Sequence, residues 1–302
     1  MTAPPPTLTP ALPARAPAWP VPAGSWDTHA HVFGPPDEFP LAASRRYVPP
    51  TQPVEAYLKT LDTLGVSNGV LVQPSVYGQD NSCLLAALDA APDRLRGVID
   101  TDLAGSSPET LRELARRGVC GVRLTWDPSY SQARLREQGA VLAQLGWHLD
   151  IRVENARHMT LLAPQLANLA VPVMVESMGS PLAPGGPGTG GFRALLELLS
   201  EPHVFVKLSH PYQIDPAGPP YPGTLPYARA LVETAADKLV WGSDWPHPLL
   251  HGGVMPDDGF LMNLLLRWAG NEAVAHQVLC DNPAAFYGRL VTACPSGGAS
   301  SD

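Results

Sequence analysis

The chain has 302 residues, 45% of them hydrophobic and only 16% charged, with a formal net charge of -8. That composition provides a large apolar core and excludes a chain disordered throughout. The acidic balance, a pI of about 5.5 and the lack of any basic stripe exclude a nucleic-acid surface, and no apolar run reaches the ~18 residues of a membrane span.

Residues 1–24 form a Pro/Ala-rich arm that includes Pro4-Pro5-Pro6 and lacks the apolar centre of a signal peptide. Repeated proline favours extended chain, so the arm is expected either mobile or laid along the surface. Strand-like and helical runs then alternate. His29 to Phe33 reads as a strand, followed by a helix over Glu55 to Leu64; Gly69 to Gln73 is followed by Ser82 to Ala90, and Leu95 to Asp100 by Pro108 to Arg116. Gly121 to Trp126 precedes helical Leu135 to Leu145, His148 to Val153 precedes Met159 to Leu169, and Val171 to Glu176 precedes Phe192 to Leu199. Val204 to Ser209, helical Tyr227 to Ala236 and a last strand over Leu239 to Ser243 complete eight strand-like runs. Helices stop at glycine in Leu64-Gly65 and Leu145-Gly146. This alternation predicts an α/β fold, a single-domain (β/α)8 TIM barrel over residues 25–290 with a frayed tail at 291–302. An open doubly wound sheet lacks support, because no strand runs into a Gly-rich phosphate turn. Cys83, Cys120, Cys280 and Cys294 are scattered, which suits reduced thiols in a cytoplasmic protein.

In such a barrel, function sits at the C-terminal ends of the strands. Trp26-Asp27-Thr28-His29-Ala30-His31 places two histidines at i and i+2, on one face of a strand, where both address one ligand. Val240-Trp241-Gly242-Ser243-Asp244-Trp245-Pro246-His247 ends the last strand with a carboxylate typed to take a proton from water, and with His247 beside it. The other strand ends carry Ser75 and Tyr77, Asp100 and Asp102, Arg123, Arg152 and Glu154, Glu176 and Ser177, and Lys207 with His210. Arg152 either faces the mouth or pairs with Glu154 or Asp150. Lys207 is placed to tether a carboxylate inside the barrel. Trp147 and His148 start their strand at the far end and read as packing. Ser180 to Gly191, rich in Gly and Pro, is either a lid or a surface loop.

Several stretches, in order and spacing, resemble the amidohydrolase superfamily, in particular the branch with 2-pyrone-4,6-dicarboxylate lactonases and related sugar-lactone and muconolactone enzymes. They are Trp26 to Gly34, Val72 to Asn81, Gly121-Val122-Arg123, Leu145-Gly146-Trp147-His148, Val206-Lys207-Leu208-Ser209, Trp241 to His247 and Asp281 to Gly288. The resemblance runs from Trp26 to Gly288. It implies a (β/α)8 barrel that hydrolyses a small cyclic ester, with Asp244 as general base and His29 and His31 holding water or polarising the lactone carbonyl. It also places Tyr47, Ser75, Tyr77, Arg123, Arg152, Ser177, Gln213 and His247 on the substrate, a small lactone or carboxylic acid.

Departures from the family pattern shape the expectations. Where the family's sixth strand ends in Asp-His, this chain has Glu176-Ser177, and a hydroxyl is a poor zinc ligand. No cofactor is therefore expected; a divalent metal such as zinc, if bound, falls to His29, His31 and Asp244, with Glu176 or Glu154 to complete the set. Gln213 stands where an arginine is usual, and residues 125–131 add no other arginine. Fewer guanidinium forks favour a monocarboxylate or neutral lactone over a dicarboxylate. A lactone isomerase or decarboxylase on the same scaffold is the alternative, told apart by product mass, and a silent ligand-binding barrel is a third.

Overall fold

The computed structural model describes residues 5–8 and 14–292. Eight strands run parallel in chain order: β1 Trp26–Ala30, β2 Asn68–Val72, β3 Leu95–Ile99, β4 Val119–Trp126, β5 His148–Val153, β6 Val173–Val175, β7 Val204–Leu208 and β8 Leu239–Trp241. Helices α1 Val54–Leu64, α2 Ser82–Ala90, α3 Pro108–Arg116, α4 Gln132–Leu145, α5 Met159–Leu166 and α6 Gly190–Leu198 link the first seven strands. A short α7 Pro211–Ile214 and α8 Leu225–Ala235 precede β8, and α9 Asp258–Ala269, α10 Glu272–His276 and α11 Asn282–Thr292 follow it. This is the (β/α)8 barrel that the alternation predicts.

The ring closes just beyond the formal strand ends. The Asp244 N–H donates to the His29 carbonyl at 2.8 Å and the His31 N–H to the Trp245 carbonyl at 2.7 Å. Gly242 permits this approach, because a Cβ there would lie 2.6 Å from His29 Cβ. The first strand is Trp26–Ala30 rather than the expected His29 to Phe33. Apolar counting misplaces it because Asp27 is buried: its carboxylate accepts from the Ser243 N–H at 2.9 Å, the Ser243 hydroxyl at 2.6 Å and the Tyr57 hydroxyl at 3.1 Å. Burial first of all pushes the Asp27 carboxyl up to about 6, against those hydrogen bonds. Phe33 instead pairs with Gln52 through two backbone hydrogen bonds of 2.8 and 2.7 Å.

Side chains alternate across each strand. On β5, Leu149, Ile151 and Val153 pack outward in the apolar layer under the helices, which leaves His148, Asp150 and Arg152 on the inner face. At the bottom of the barrel Trp26, Val70, Val72, Val98, Cys120, Met174 and Val240 form a separate apolar layer, sealed by Phe286 and Tyr287 of α11. Burying two such aromatic rings contributes roughly 1.5–3 kcal/mol each. His148 packs there too, its ring centroid 5.1 Å from that of Phe286 and its Nδ1 2.8 Å from the Cys120 carbonyl oxygen.

Of the Pro/Ala-rich arm, Thr7 donates through its N–H to the Val48 carbonyl at 2.9 Å and through its hydroxyl to the Pro248 carbonyl at 2.7 Å. Leu8 donates to the Leu250 carbonyl at 3.2 Å. These bonds lay residues 5–8 across the loops after β1 and β8. The arm's residues 1–4 and 9–13, and residues 293–302 of the expected tail, lie outside the described residues. The segment Ser180 to Gly191 is pinned by the Tyr227 hydroxyl, which donates to the Leu182 carbonyl at 2.9 Å and accepts from the Gly186 N–H at 2.7 Å. No described helix is long and apolar enough to cross a membrane.

Candidate active site

The polar strand ends converge on Asp244. Its Oδ1 lies 2.8 Å from His210 Nε2, 3.3 Å from His31 Nε2 and 3.7 Å from His29 Nε2. Its Oδ2 accepts a short hydrogen bond from the Tyr212 hydroxyl. All five residues are buried. Backbone geometry aims them inward: Asp244 at φ 62° and His210 at φ 57° are both left-handed non-glycine residues, a conformation that costs about 1–3 kcal/mol and clusters at functional sites.

Burial alone would raise the Asp244 carboxyl, but the His210 imidazole beside Oδ1 outweighs it and holds the group below the ordinary carboxylate range. Burial is the main reason that both His29 and His31 are lowered below the usual imidazole value, so both rings are neutral at pH 7. His31 Nδ1 lies 2.6 Å from the Val72 carbonyl oxygen, which only accepts, so the ring proton sits on Nδ1 and Nε2 is bare. The bare Nε2 and the carboxylate Oδ1 are two acceptors side by side, a place built for a shared donor. His29 Nε2 and Asp244 Oδ1 are buried and make no well-directed hydrogen bond to a described protein group.

His29, His31 and Asp244, which the sequence singles out, thus meet. The remaining predicted residues divide. Ser177 does not face Asp244: its hydroxyl lies 3.0 Å from His210 Nδ1, with the Ser209 hydroxyl 2.8 Å from the same atom, so it buttresses the third imidazole. Arg123 is not a free clamp. Its Nε and Nη2 donate to Glu176 at 2.8 and 2.7 Å and its Nη1 to the Gln73 carbonyl at 2.9 Å. Arg152 is the opposite case. The pairings considered for it fail, because Asp150 is bound to Lys207 and Glu154 to Arg46. Its half-buried guanidinium has no ion-pair partner among the described residues, its Nε is buried without a hydrogen bond, and its charge is felt by Tyr47 and Tyr212.

Tyr47 is buried, and burial raises its hydroxyl above the usual tyrosine range. Tyr77 packs its ring 6.2 Å from that of Phe33, and its hydroxyl is buried without a hydrogen bond to a described protein group. Gln213 is half-buried, next to the Tyr212 hydroxyl. His247 has its Nε2 3.2 Å from Asp258 Oδ1 at the start of α9 and its ring centroid 5.8 Å from that of Tyr212; burial would lower its pKa, and the Asp258 charge raises it above the usual imidazole value. Sequence reasoning placed His210 at a strand end without a role at the reaction centre, and did not single out Tyr212. The one signal was that both follow closely after β7, Tyr212 in the short α7.

In distance, His29, His31 and Asp244 are compatible with a bound divalent metal, since each offers a ligand atom within 4.8 Å of the others. The hydrogen bonding around them does not fit one. Tyr212 already binds Oδ2 of Asp244, His210 crowds Oδ1, and His29 Nδ1 lies 3.3 Å from the Lys207 ammonium. Neither carboxylate proposed to complete a ligand set is at hand, because Glu176 is held by Arg123 and Glu154 is exposed and paired with Arg46.

Comparison with known proteins agrees with this architecture. Residues 26–289 match the amidohydrolase family model. A 4-sulfomuconolactone hydrolase of Rhizobium radiobacter is 37% identical over 274 residues, covering 89% of this chain and 91% of its own. A 2-pyrone-4,6-dicarboxylate hydrolase of Comamonas testosteroni is 33% identical over 284 residues, covering 90% and 92%. A solved structure from Pseudomonas putida, described as a candidate 2-pyrone-4,6-dicarboxylic acid hydrolase, superposes with a TM-score of 0.77 at 33% identity, covering 89% of this chain and 99% of that one.

Proposed function

That this chain belongs to the amidohydrolase family is the premise from which we propose its reaction: hydrolysis of a small lactone bearing one anionic group, run without a resident metal. The observation that carries the proposal is the buried Asp244 Oδ1, set beside the bare His31 Nε2 and, with His210 Nε2 2.8 Å away, without a well-directed hydrogen bond from any described protein group. A water donating to both acceptors turns a lone pair toward the substrate. Its oxygen attacks the lactone carbonyl carbon while Asp244 takes the proton. The carbonyl oxygen becomes an oxyanion, which His29 stabilises as a donor through Nε2, 3.7 Å from Asp244 Oδ1. Collapse breaks the ring C–O bond, and the ring oxygen leaves with the proton from Asp244. The hydroxyl of Tyr212 and the ring of His210 keep Asp244 ionised and fixed in place.

Arg152 selects the substrate. With Arg123 neutralised by Glu176, Arg152 is a cation at the mouth left to pair with a carboxylate or sulfonate, and its charge is felt by Tyr47 and Tyr212. Both relatives named above act on lactones, as their names state. Replacing Arg152 by Met raises KM for an anionic lactone by roughly 10–100-fold, the equivalent of a charge-assisted hydrogen bond, and leaves kcat for a neutral lactone unchanged. An equal loss on both substrates contradicts this role. Cys83, Cys120 and Cys280 are buried free thiols, which supports a cytoplasmic setting.

A further inference from the structure

The mechanism leaves unused a buried charge inside the barrel. Lys207 of β7 is fully buried, and its ammonium donates a short hydrogen bond to Asp150 Oδ2 of β5. The same nitrogen lies 3.3 Å from His29 Nδ1. Asp150 lies in turn 3.9 Å from His148 Nε2. A buried ion pair of this kind costs several kcal/mol of desolvation for each ion, and an apolar pair fills the same space at no loss of stability, so stability alone does not account for it.

We propose that Lys207 sets the tautomer of His29, so that His29 presents an N–H rather than a lone pair to Asp244 and the substrate. An ammonium only donates. Lys207 is ion-paired with Asp150: burial would raise the Asp150 carboxyl, and the Lys207 charge instead holds it well below the usual range. Facing a donor, His29 Nδ1 must be the bare nitrogen, and the single proton of the neutral ring goes to Nε2. That proton is the one the oxyanion needs. The same tautomer withholds the Nε2 lone pair from a metal, because a ligating Nε2 requires the proton on Nδ1, where Lys207 has no acceptor to offer. His31 has the opposite tautomer, since its Nδ1 donates to the Val72 carbonyl. The two neighbouring imidazoles, with ring centroids 5.0 Å apart, are thereby divided into one donor and one acceptor. Lys207 is a positioning residue that acts through His29. Its role deepens the proposed hydrolysis but is read out without substrate, so the two stand or fall separately.

The test is nitrogen-15 NMR of the full chain labelled at histidine, with the His29 signals identified by their loss in His29→Gln. The expected wild-type spectrum shows His29 Nε2 as a protonated, pyrrole-type nitrogen and Nδ1 as a bare, pyridine-type one; the reverse pattern overturns the proposal outright. In Lys207→Gln/Asp150→Asn, an uncharged amide pair of similar shape offers an acceptor to Nδ1–H. There the His29 pattern reverses and affinity for zinc ion, titrated alone, rises at least tenfold. Lys207→Arg keeps a donor and keeps the wild-type pattern. An unchanged His29 spectrum in the amide pair, or zinc affinity no higher than in wild type, also overturns it. If the amide pair does not fold, the wild-type and Lys207→Arg spectra still decide.

Discussion

Replacing Asp244 by Asn lowers kcat for lactone opening by about 10²–10⁴-fold, the usual worth of a positioned general base. The amide keeps the shape of the carboxylate and one oxygen to accept from the Tyr212 hydroxyl, so the barrel mouth is conserved while the proton acceptor is lost. The effect falls on kcat, because Asp244 meets the water and not the anionic group of the substrate. The pH profile of the wild type carries the same signature. Asp244 is held below the ordinary carboxylate range and His29 and His31 below the ordinary imidazole value of 6.5. A lowered pKa keeps each histidine neutral as the pH falls past that value, so kcat/KM stays level through pH 6.5 and declines only in more acid solution. Undiminished turnover by Asp244→Asn, or an acid limb at 6.5 or above, contradicts the role given to this residue.

Replacing Glu176 by Leu destabilises the fold by about 3–5 kcal/mol, measured by denaturant unfolding. Glu176 is fully buried and binds two nitrogens of Arg123, whose side chain is 10% exposed. Without it a guanidinium is left desolvated with one remaining bond, to the Gln73 carbonyl. Replacing both partners, as Arg123→Met/Glu176→Leu, removes the stranded charge and recovers most of that loss, so the double-mutant cycle reports strong coupling. A single-variant loss below about 1 kcal/mol, the range of exposed pairs, contradicts the assignment of Arg123 to structure.

The barrel and its landmark were legible because both depend on local pattern. Eight apolar runs separated by helical periodicity specify the alternation, and a strand-end Asp facing His-x-His is visible in one dimension. The partnerships across the barrel were not, since they depend on which inner side chains of distant strands reach one level. Arg123 on β4 looks like a substrate clamp until Glu176 at the end of β6 is seen to bind it. Ser177 looks like a vacated ligand position until His210 arrives beside it through a left-handed turn at φ 57° that no propensity predicts. One clue was in view: His148, Asp150 and Arg152 alternate with apolar neighbours on β5, a polar stripe pointing into the barrel. Its middle member holds Lys207, and its upper member, Arg152, has no ion-pair partner among the described residues.

On the proposed reaction, this chain adds water to an anionic lactone. The direct measurement is mass spectrometry of the product formed from a carboxylated or sulfonated lactone in oxygen-18-enriched water. Hydrolysis predicts a product heavier than the lactone by one water, with a single oxygen-18 in the new carboxylate and none in the released hydroxyl. A product of the same mass as the lactone, without the heavy oxygen, means isomerisation and contradicts the account.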